Sequence, residues 1–315
     1  MEEFNLFNRR EFLRRTILGG GALVAFSSLP ENLFAAFKDD LIKLTILHTN
    51  DQHSHIDPFP ANDPKYPNLG GFARRASLLK KIRNEEKNVL LFDAGDIWQG
   101  TPYFNMYGGE LEFKLMSEMN YDGATIGNHD LDNGIEGLVK QLPHAKFPFI
   151  NCNYDFSDTE MNGKTIPYKI FEKEALKIGV FGLGIELKGL VDKKNFGKTI
   201  YLDPIQKAAE HAHLLKKELK CDLVICLSHL GDGYKDNKVS DSVIAKQSKN
   251  IDIFIGGHTH RFFDKPLALR NSDGNEVLLV QAGFGGIKLG KVDYYFHRGK
   301  QKKSTSGSTL IISPN

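Results

Sequence analysis

The chain has 315 residues, with 41 Lys and Arg against 39 Asp and Glu, a formal net charge of +2. A charge this close to zero lacks the basic excess of a general nucleic-acid binder, and 22 Phe with 10 Tyr exclude bulk disorder. No run of 18 apolar residues exists, which excludes an ordinary transmembrane helix. The length allows two domains or one large α/β unit.

Residues 1–36 read as an address rather than as fold. Asn8-Arg9-Arg10-Glu11-Phe12-Leu13-Arg14 precedes a short apolar run, Thr16 to Phe26, broken by Gly19-Gly20-Gly21. A charged segment followed by a short apolar one is the pattern of a signal peptide. The Arg pair followed by Phe-Leu resembles a twin-arginine export signal, which implies a periplasmic protein without stable membrane insertion after cleavage. Ala35-Ala36 offers small residues for that cleavage. A basic amphipathic helix is the alternative, and three consecutive glycines make it a poor one. Cys152, Cys221 and Cys226 are too few, and odd in number, for a disulfide scaffold. Cys152 and Cys226 lie in apolar runs and read as buried thiols.

After the leader, strand and helix patterns alternate. Leu41–His48 reads as a strand, 71–87 as a helix with Phe72, Ala76, Leu79 and Ile82 on one face, and 88–94 as a buried strand. A glycine-rich loop leads to a helix over 109–119, a strand over 122–126, a short helix over 135–142 and a strand over 147–152. Residues 153–167 are polar and read as an excursion. Strands follow at 175–182, 222–227 and 251–255, with helices at 203–219 and 240–247. Asp203 caps the first of these helices, with Pro204 at its first position. The end is β-rich, with a turn at 271–275 and strands at 276–282 and 287–296. From Arg298 the chain is basic and Ser-rich and reads as a frayed tail. The alternation predicts a layered α/β fold with antiparallel strands late in the chain. Residues 40–297 are expected to form one domain and 298–315 a tail.

Two nucleotide-binding patterns fail. Gly163-Lys164-Thr165 and Gly197-Lys198-Thr199 resemble the end of a P-loop, but Asp158 and Asp192 stand where its first glycine belongs. Gly283-Phe284-Gly285-Gly286 follows a strand and leads to another strand, whereas the dinucleotide fingerprint needs a helix.

Five segments place hard or borderline metal ligands at the ends of apolar strands. They are Asp51-Gln52-His53, Gly95-Asp96, Gly127-Asn128-His129-Asp130, Ser228-His229 and Gly256-Gly257-His258-Thr259-His260. Any one of them is weak, because a lone strand-end His or a Gly-Asn-His-Asp turn has ordinary structural uses. In an α/β sheet, however, ligands bind at the carboxyl ends of strands, so all five converge on one rim. The flanking glycines let the backbone turn sharply there. Oxygen and nitrogen donors without thiolate suit divalent Mn, Zn or Fe.

The ordered motifs D-x-H, G-D, G-N-H-D, S-H and G-H-T-H resemble the calcineurin-like metallophosphoesterase superfamily over about residues 42–296. Ile46 to His53 is similar to its 5′-nucleotidase branch, which includes UDP-sugar hydrolases. The resemblance implies a four-layer α-β-β-α sandwich of two mixed sheets flanked by helices. It implies two divalent ions, one held by Asp51, His53, Asp96 and His260, the other by Asp96, Asn128, His229 and His258, with Asp96 bridging. A shared carboxylate offsets the repulsion of two close cations, and metal-activated hydroxide attacks phosphorus. His129 is implied to contact the phosphoryl group and leaving oxygen, and Asp132 to orient and charge it. An N-cap of the following helix is the alternative role for Asp132. Asp130 reads as a structural hydrogen-bond partner. His55 reads equally as a neighbour of the site or a solvated loop residue, and His211 and His213 as surface residues. Of Trp98, Tyr103 and Phe104, at least two are expected to pack rather than line the pocket.

Full-length members of the branch carry a C-terminal domain that binds the base. The expectation is therefore an exported phosphohydrolase acting on nucleotide monoesters or anhydrides, with a separate C-terminal-domain protein as a candidate partner. Alternatives within the same fold are a cyclic phosphodiesterase, a thiosulfohydrolase-type enzyme and a non-catalytic binding subunit.

Overall fold

A computed structural model describes residues 41–236, 238–297 and 302–314. The export-signal reading of 1–36 lies outside them. The strands are β1 (Leu41–Thr49), β2 (Val89–Asp93), β3 (Gly123–Ala124), β4 (Tyr154–Asp155), β5 (Tyr168–Lys173), β6 (Leu176–Leu183) and β7 (Ile200–Tyr201). They continue with β8 (Leu223–Ser228), β9 (Ile253–Gly256), β10 (Leu267–Arg270), β11 (Glu276–Val280), β12 (Lys288–His297) and β13 (Lys302–Ile311). Helices are α1 (Phe72–Glu85), α2 (Pro102–Tyr107), α3 (Glu110–Glu118), α4 (Gly134–Gln141), α5 (Lys193–Phe196), α6 (Pro204–His213) and α7 (Asp241–Gln247).

Two mixed sheets pack face to face, in strand orders β13-β12-β1-β2-β3 and β10-β11-β9-β8-β6-β5. Successive side chains of a strand point to opposite faces. Ile42, Leu44, Ile46, Leu90 and Phe92 therefore meet Val180, Leu223, Ile225, Leu227, Ile253 and Ile255 between the sheets. Leu47 and Leu91 face outward onto Leu79 and Ile82 of α1 and Met116 of α3. Val224, Cys226 and Phe254 face Ala208 and Ala212 of α6 and Ile244 of α7. Burial on both faces explains the unbroken apolar runs. The architecture is the four-layer α-β-β-α sandwich.

The structure corrects several expectations. The tail does not fray: β13 pairs antiparallel with β12 from Lys288↔Ile311 to Phe296↔Lys302. Ile312 then enters the core, donating to Ile287 O and accepting from Gly70 N. An edge strand needs one hydrogen-bonding partner and no apolar face, so a Ser/Thr-rich segment serves. The expected strand over 147–152 is reduced to bridges Ala124↔Phe149 and Ile150↔Ile166, because Pro148 has no N–H to donate. The expected strand over 122–126 shortens to β3. The long helix over 203–219 changes at Leu214 to a π turn, Leu214–Glu218, although Asp203 caps it as predicted, accepting from Ile205 N at 2.8 Å. Strands β5 and β10 and helix α2 had no expectation attached.

One residue between the sheets is out of character. His48 of β1 is buried against Gly290, where a Cβ would lie 1.9 Å from His48 Nε2. Its Nδ1 has no hydrogen-bond partner among the described residues, and burial pushes its pKa from 6.5 down to about 3. The folded state thus binds fewer protons than the unfolded state between those values, so stability falls as pH falls through that window. At pH 4 the loss from this residue is about 3 kcal/mol. In urea titrations, the stability gap between wild type and His48→Gln should shift by that amount between pH 7 and pH 4, and a constant gap would contradict this account.

Candidate metal centre

The site lies on a rim built from both sheets. Loops leaving the parallel strands β1, β2 and β3 carry Asp51 with His53, Asp96, and Asn128. Loops leaving the parallel strands β8 and β9 carry His229, and His258 with His260. The first two loops run side by side, with Asp51 N donating to Gly95 O, His53 N to Asp96 O and Ser54 N to Ile97 O, at 2.9 to 3.0 Å. The two sheets are stitched together at the same place. His258 N donates to both oxygens of Asp51 at 3.0 Å, and His229 Nδ1 to Ala94 O at 2.7 Å.

Left-handed backbone is concentrated here. Asp51 (φ 47), His53 (φ 48), Asp96 (φ 55), His258 (φ 73) and His260 (φ 54) all adopt it. Each such non-glycine residue costs of order 1 kcal/mol or more, and such strain collects at functional sites. The glycines act differently from the expectation. Gly95 does turn the chain (φ 90), but Gly127 has no positive φ and supplies space, since a Cβ there would lie 2.2 Å from Asp96 Oδ1.

Asp51, His53 and His260 form one group of ligand atoms and Asp96, His229 and His258 another, each within 4.8 Å of one another. The groups adjoin: His229 Nε2 is 3.0 Å from Asp96 Oδ2 and 3.9 Å from Asp51 Oδ1, and His53 Nε2 is 4.0 Å from Asp96 Oδ2. His53 and His260 point their Nε2 atoms at each other across 3.0 Å. Asn128 joins the second group, with its Oδ1 2.9 Å from His258 Nδ1. All seven residues expected as ligands are therefore brought together.

The donor set fits a cation. Nδ1 of His229 and of His53 face the carbonyls of Ala94 and Trp98, at 2.7 and 3.3 Å. A carbonyl only accepts, so both rings carry the proton on Nδ1 and turn Nε2 toward the site. His229 Nε2 is completely buried and lies near Asp96 without a hydrogen-bond alignment. Burial opposes a charge on this ring, yet Asp96 and Asp51 outweigh it and push its pKa up to about 10. His258 goes the other way, to about 4, through burial and repulsion by His229. Two buried carboxylates thus demand positive charge, and a divalent ion would supply it in place of protons.

His129 stands beside this cluster, its ring 5.3 Å from that of His53 and its N–H donating to Asp96 Oδ1 at 2.8 Å. Its Nδ1 lies 2.8 Å from Asp132 Oδ2. That contact raises the pKa of His129, with burial opposing and Asp96 adding to the rise. Asp132 makes no capping bond to α4, whose N-cap is Asn133. Asp130 accepts four backbone N–H groups, from Gly127 (2.8 Å), Asp96 (3.0 Å), Ile97 (2.9 Å) and Trp98 (3.3 Å). Burial and Asp96 push its carboxyl up to about 7, while four donors and no acceptor favour the charged form.

Trp98 and Phe104 pack in the core, whereas Tyr103 donates its hydroxyl to Asp57 Oδ2 at 2.6 Å. His55 stacks on Phe59 with centroids 4.4 Å apart. His211 is not a plain surface residue, since its ring stacks against Phe181. Sequence reasoning gave no role to Asn50, which donates to Asp51 Oδ2 and Gly283 O and accepts from Ala282 N. Its position directly before Asp51 was the available signal.

Residues 44–262 match the profile of the Calcineurin-like phosphoesterase family. The chain belongs to that family. It is 31% identical over 292 residues to a snake venom 5′-nucleotidase of Crotalus adamanteus, covering 86% of this chain and 48% of the relative. The human 5′-nucleotidase is 30% identical, with 86% of this chain and 50% of the relative covered. Among solved structures, a 5′-nucleotidase precursor from Thermus thermophilus superposes with a TM-score of 0.77 at 29% identity, over 87% of this chain and 56% of that one. The chain thus spans about half the length of the relatives it matches. No helix among the described residues is long and apolar enough to cross a membrane.

Proposed function

We propose that this chain is an exported, dinuclear-metal phosphohydrolase that cleaves phosphate monoesters of nucleotides or nucleotide anhydrides. One observation carries the reading: two fully buried carboxylates, Asp51 and Asp96, face four imidazoles on one strand-end rim, with the His129–Asp132 pair alongside. Asp51, His53, Asp96 and His260 would hold one divalent ion, and Asp96, Asn128, His229 and His258 the other. When bound, the ions would polarise the phosphoryl group and lower the pKa of water toward about 7. The chain's own residues do the rest. Asp96 turns one oxygen to the site, where it would help hold both ions, while its other oxygen accepts from the backbone N–H of His129 and so fixes the two residues relative to each other. Asp132 keeps His129 protonated, so the ring donates to the phosphoryl or leaving oxygen where charge develops. The 5′-nucleotidase names of the relatives support a nucleotide substrate. Export by a twin-arginine signal in residues 1–36 belongs to the same proposal.

The test is phosphate release from p-nitrophenyl phosphate and AMP by purified protein, stripped by chelator and reloaded with Mn²⁺, Zn²⁺ or Fe²⁺. Activity should vanish on stripping and return on reloading. Metal-loaded protein that turns over only sulfur esters, or nothing, would sink the reading. His129→Asn should lower kcat on the same esters by roughly 10²–10³-fold with metal content unchanged. Wild-type turnover in that variant would remove His129 from the mechanism.

A further inference from the structure

Asp93 ends β2 and is fully buried on the helix-facing side of its sheet. Its Oδ1 accepts Gly95 N at 2.9 Å. Its Oδ2 accepts the Thr49 hydroxyl at 2.6 Å and Gln52 Nε2 at 2.7 Å. Gly95 directly precedes Asp96, and Gln52 stands between Asp51 and His53. One carboxylate therefore grips both ligand-bearing loops from below. Burial pushes the carboxyl up to about 7, while all three partners donate and so favour the charged form.

A buried opposite charge stands on α1, the helix packed on this face of the sheet. Arg75 of α1 is buried with its guanidinium 4.0 Å from the Phe72 ring centroid. Its three nitrogens have no hydrogen-bond partner among the described residues. Its field acts on Asp93 and on Tyr121, whose hydroxyl lies 2.8 Å from Thr49 Oγ1. Stability alone does not explain a buried acid and a buried base that share no direct bond. Apolar replacements of similar volume commonly do as well or better.

We propose that Asp93, with Arg75 as its counter-charge, is a positioning residue that sets the spacing between the Asp51–His53 loop and Asp96, and so the affinity of the site for its metal pair. It touches neither a ligand atom nor substrate and acts only through Gly95, Gln52 and Thr49. The inference rests on the metal reading above.

The experiment is a calorimetric titration of the metal-stripped full chain with Mn²⁺, paired with thermal unfolding of the metal-free protein. Asp93→Asn keeps an acceptor for Gly95 N and loses the charge. It should unfold as cooperatively as wild type without metal, yet bind Mn²⁺ about 10–100-fold more weakly. An isotherm that overlays wild type overturns the proposal. Should Asp93→Asn fail to fold, Gln52→Leu decides the matter, because it removes the bond from Gln52 to Asp93 and leaves the carboxylate itself and its Gly95 bond in place. It should weaken the loading of one ion of the two, and an unchanged isotherm again overturns the idea. Wild-type protein that binds no Mn²⁺ would instead overturn the metal reading itself.

Discussion

Asp96→Asn is expected to reduce turnover of phosphate esters by on the order of 10³-fold or more and to cut bound metal from two ions to one or none. The substitution is nearly isosteric, so what changes is charge. Asp96 Oδ2 is 3.0 Å from His229 Nε2 and 4.0 Å from His53 Nε2, so it stands between the two ligand groups, where the proposal has it bridge. A neutral amide there cannot offset the repulsion between two cations. It also removes the main attraction that keeps His229 charged, so the empty cluster loses its present balance as well. Metal analysis and phosphate release on the same preparation provide the check. A variant holding two ions and retaining activity within tenfold of wild type would show that Asp96 does not bridge.

Asp130→Ala should be the most destabilising single change at the rim. Its carboxylate satisfies four backbone N–H groups from two loops, those of Gly127 and of Asp96 to Trp98. Each buried N–H left without an acceptor costs about 1–3 kcal/mol, and water entering the cavity recovers part of that. The expected net loss is about 4 kcal/mol, or roughly 10 °C in Tm for a protein of this size. Thermal unfolding monitored by circular dichroism measures it. A Tm within 2 °C of wild type would mean the loops hold their shape without this carboxylate. Activity should fall as well, because Asp96 and Asn128 flank the loops that Asp130 ties together.

The two variants separate chemistry from architecture. Asp96 and Asp130 are both buried acids within one site, and burial does not tell them apart. Their partners do: Asp130 spends both oxygens on backbone donors, whereas Asp96 keeps one for the site.

Much of this was legible in the amino-acid order. Five ligand-bearing segments could be named because each sits just beyond an apolar run that reads as a strand, and the family resemblance then singled out Asp51, His53, Asp96, Asn128, His229, His258 and His260 within them. A strand's end is a local property. The β-strands buried on both faces were legible for the same reason. Other features were not. Strand β13 is polar and its Ser/Thr pattern carries no apolar signal, so only its pairing with β12 defines it. Asp93 looks like the last residue of a strand. Its three partners come from two segments, and Thr49 and Gln52 lie 44 and 41 residues before it.

Composition, periodicity and short motifs thus determined by themselves the α/β class, the strand-end placement of seven ligand-type residues and the absence of basic excess, since these depend on neighbours along the chain. The sequence anticipated one rim, and tertiary structure alone decided how strand ends of two different sheets are joined there. His258 N reaches Asp51 across 207 residues of sequence, and five ligand-type residues are bent into left-handed backbone to aim inward. That conformation is unfavourable for each residue in isolation. Only packing of both sheets, and the charge balance their loops create together, holds it in place.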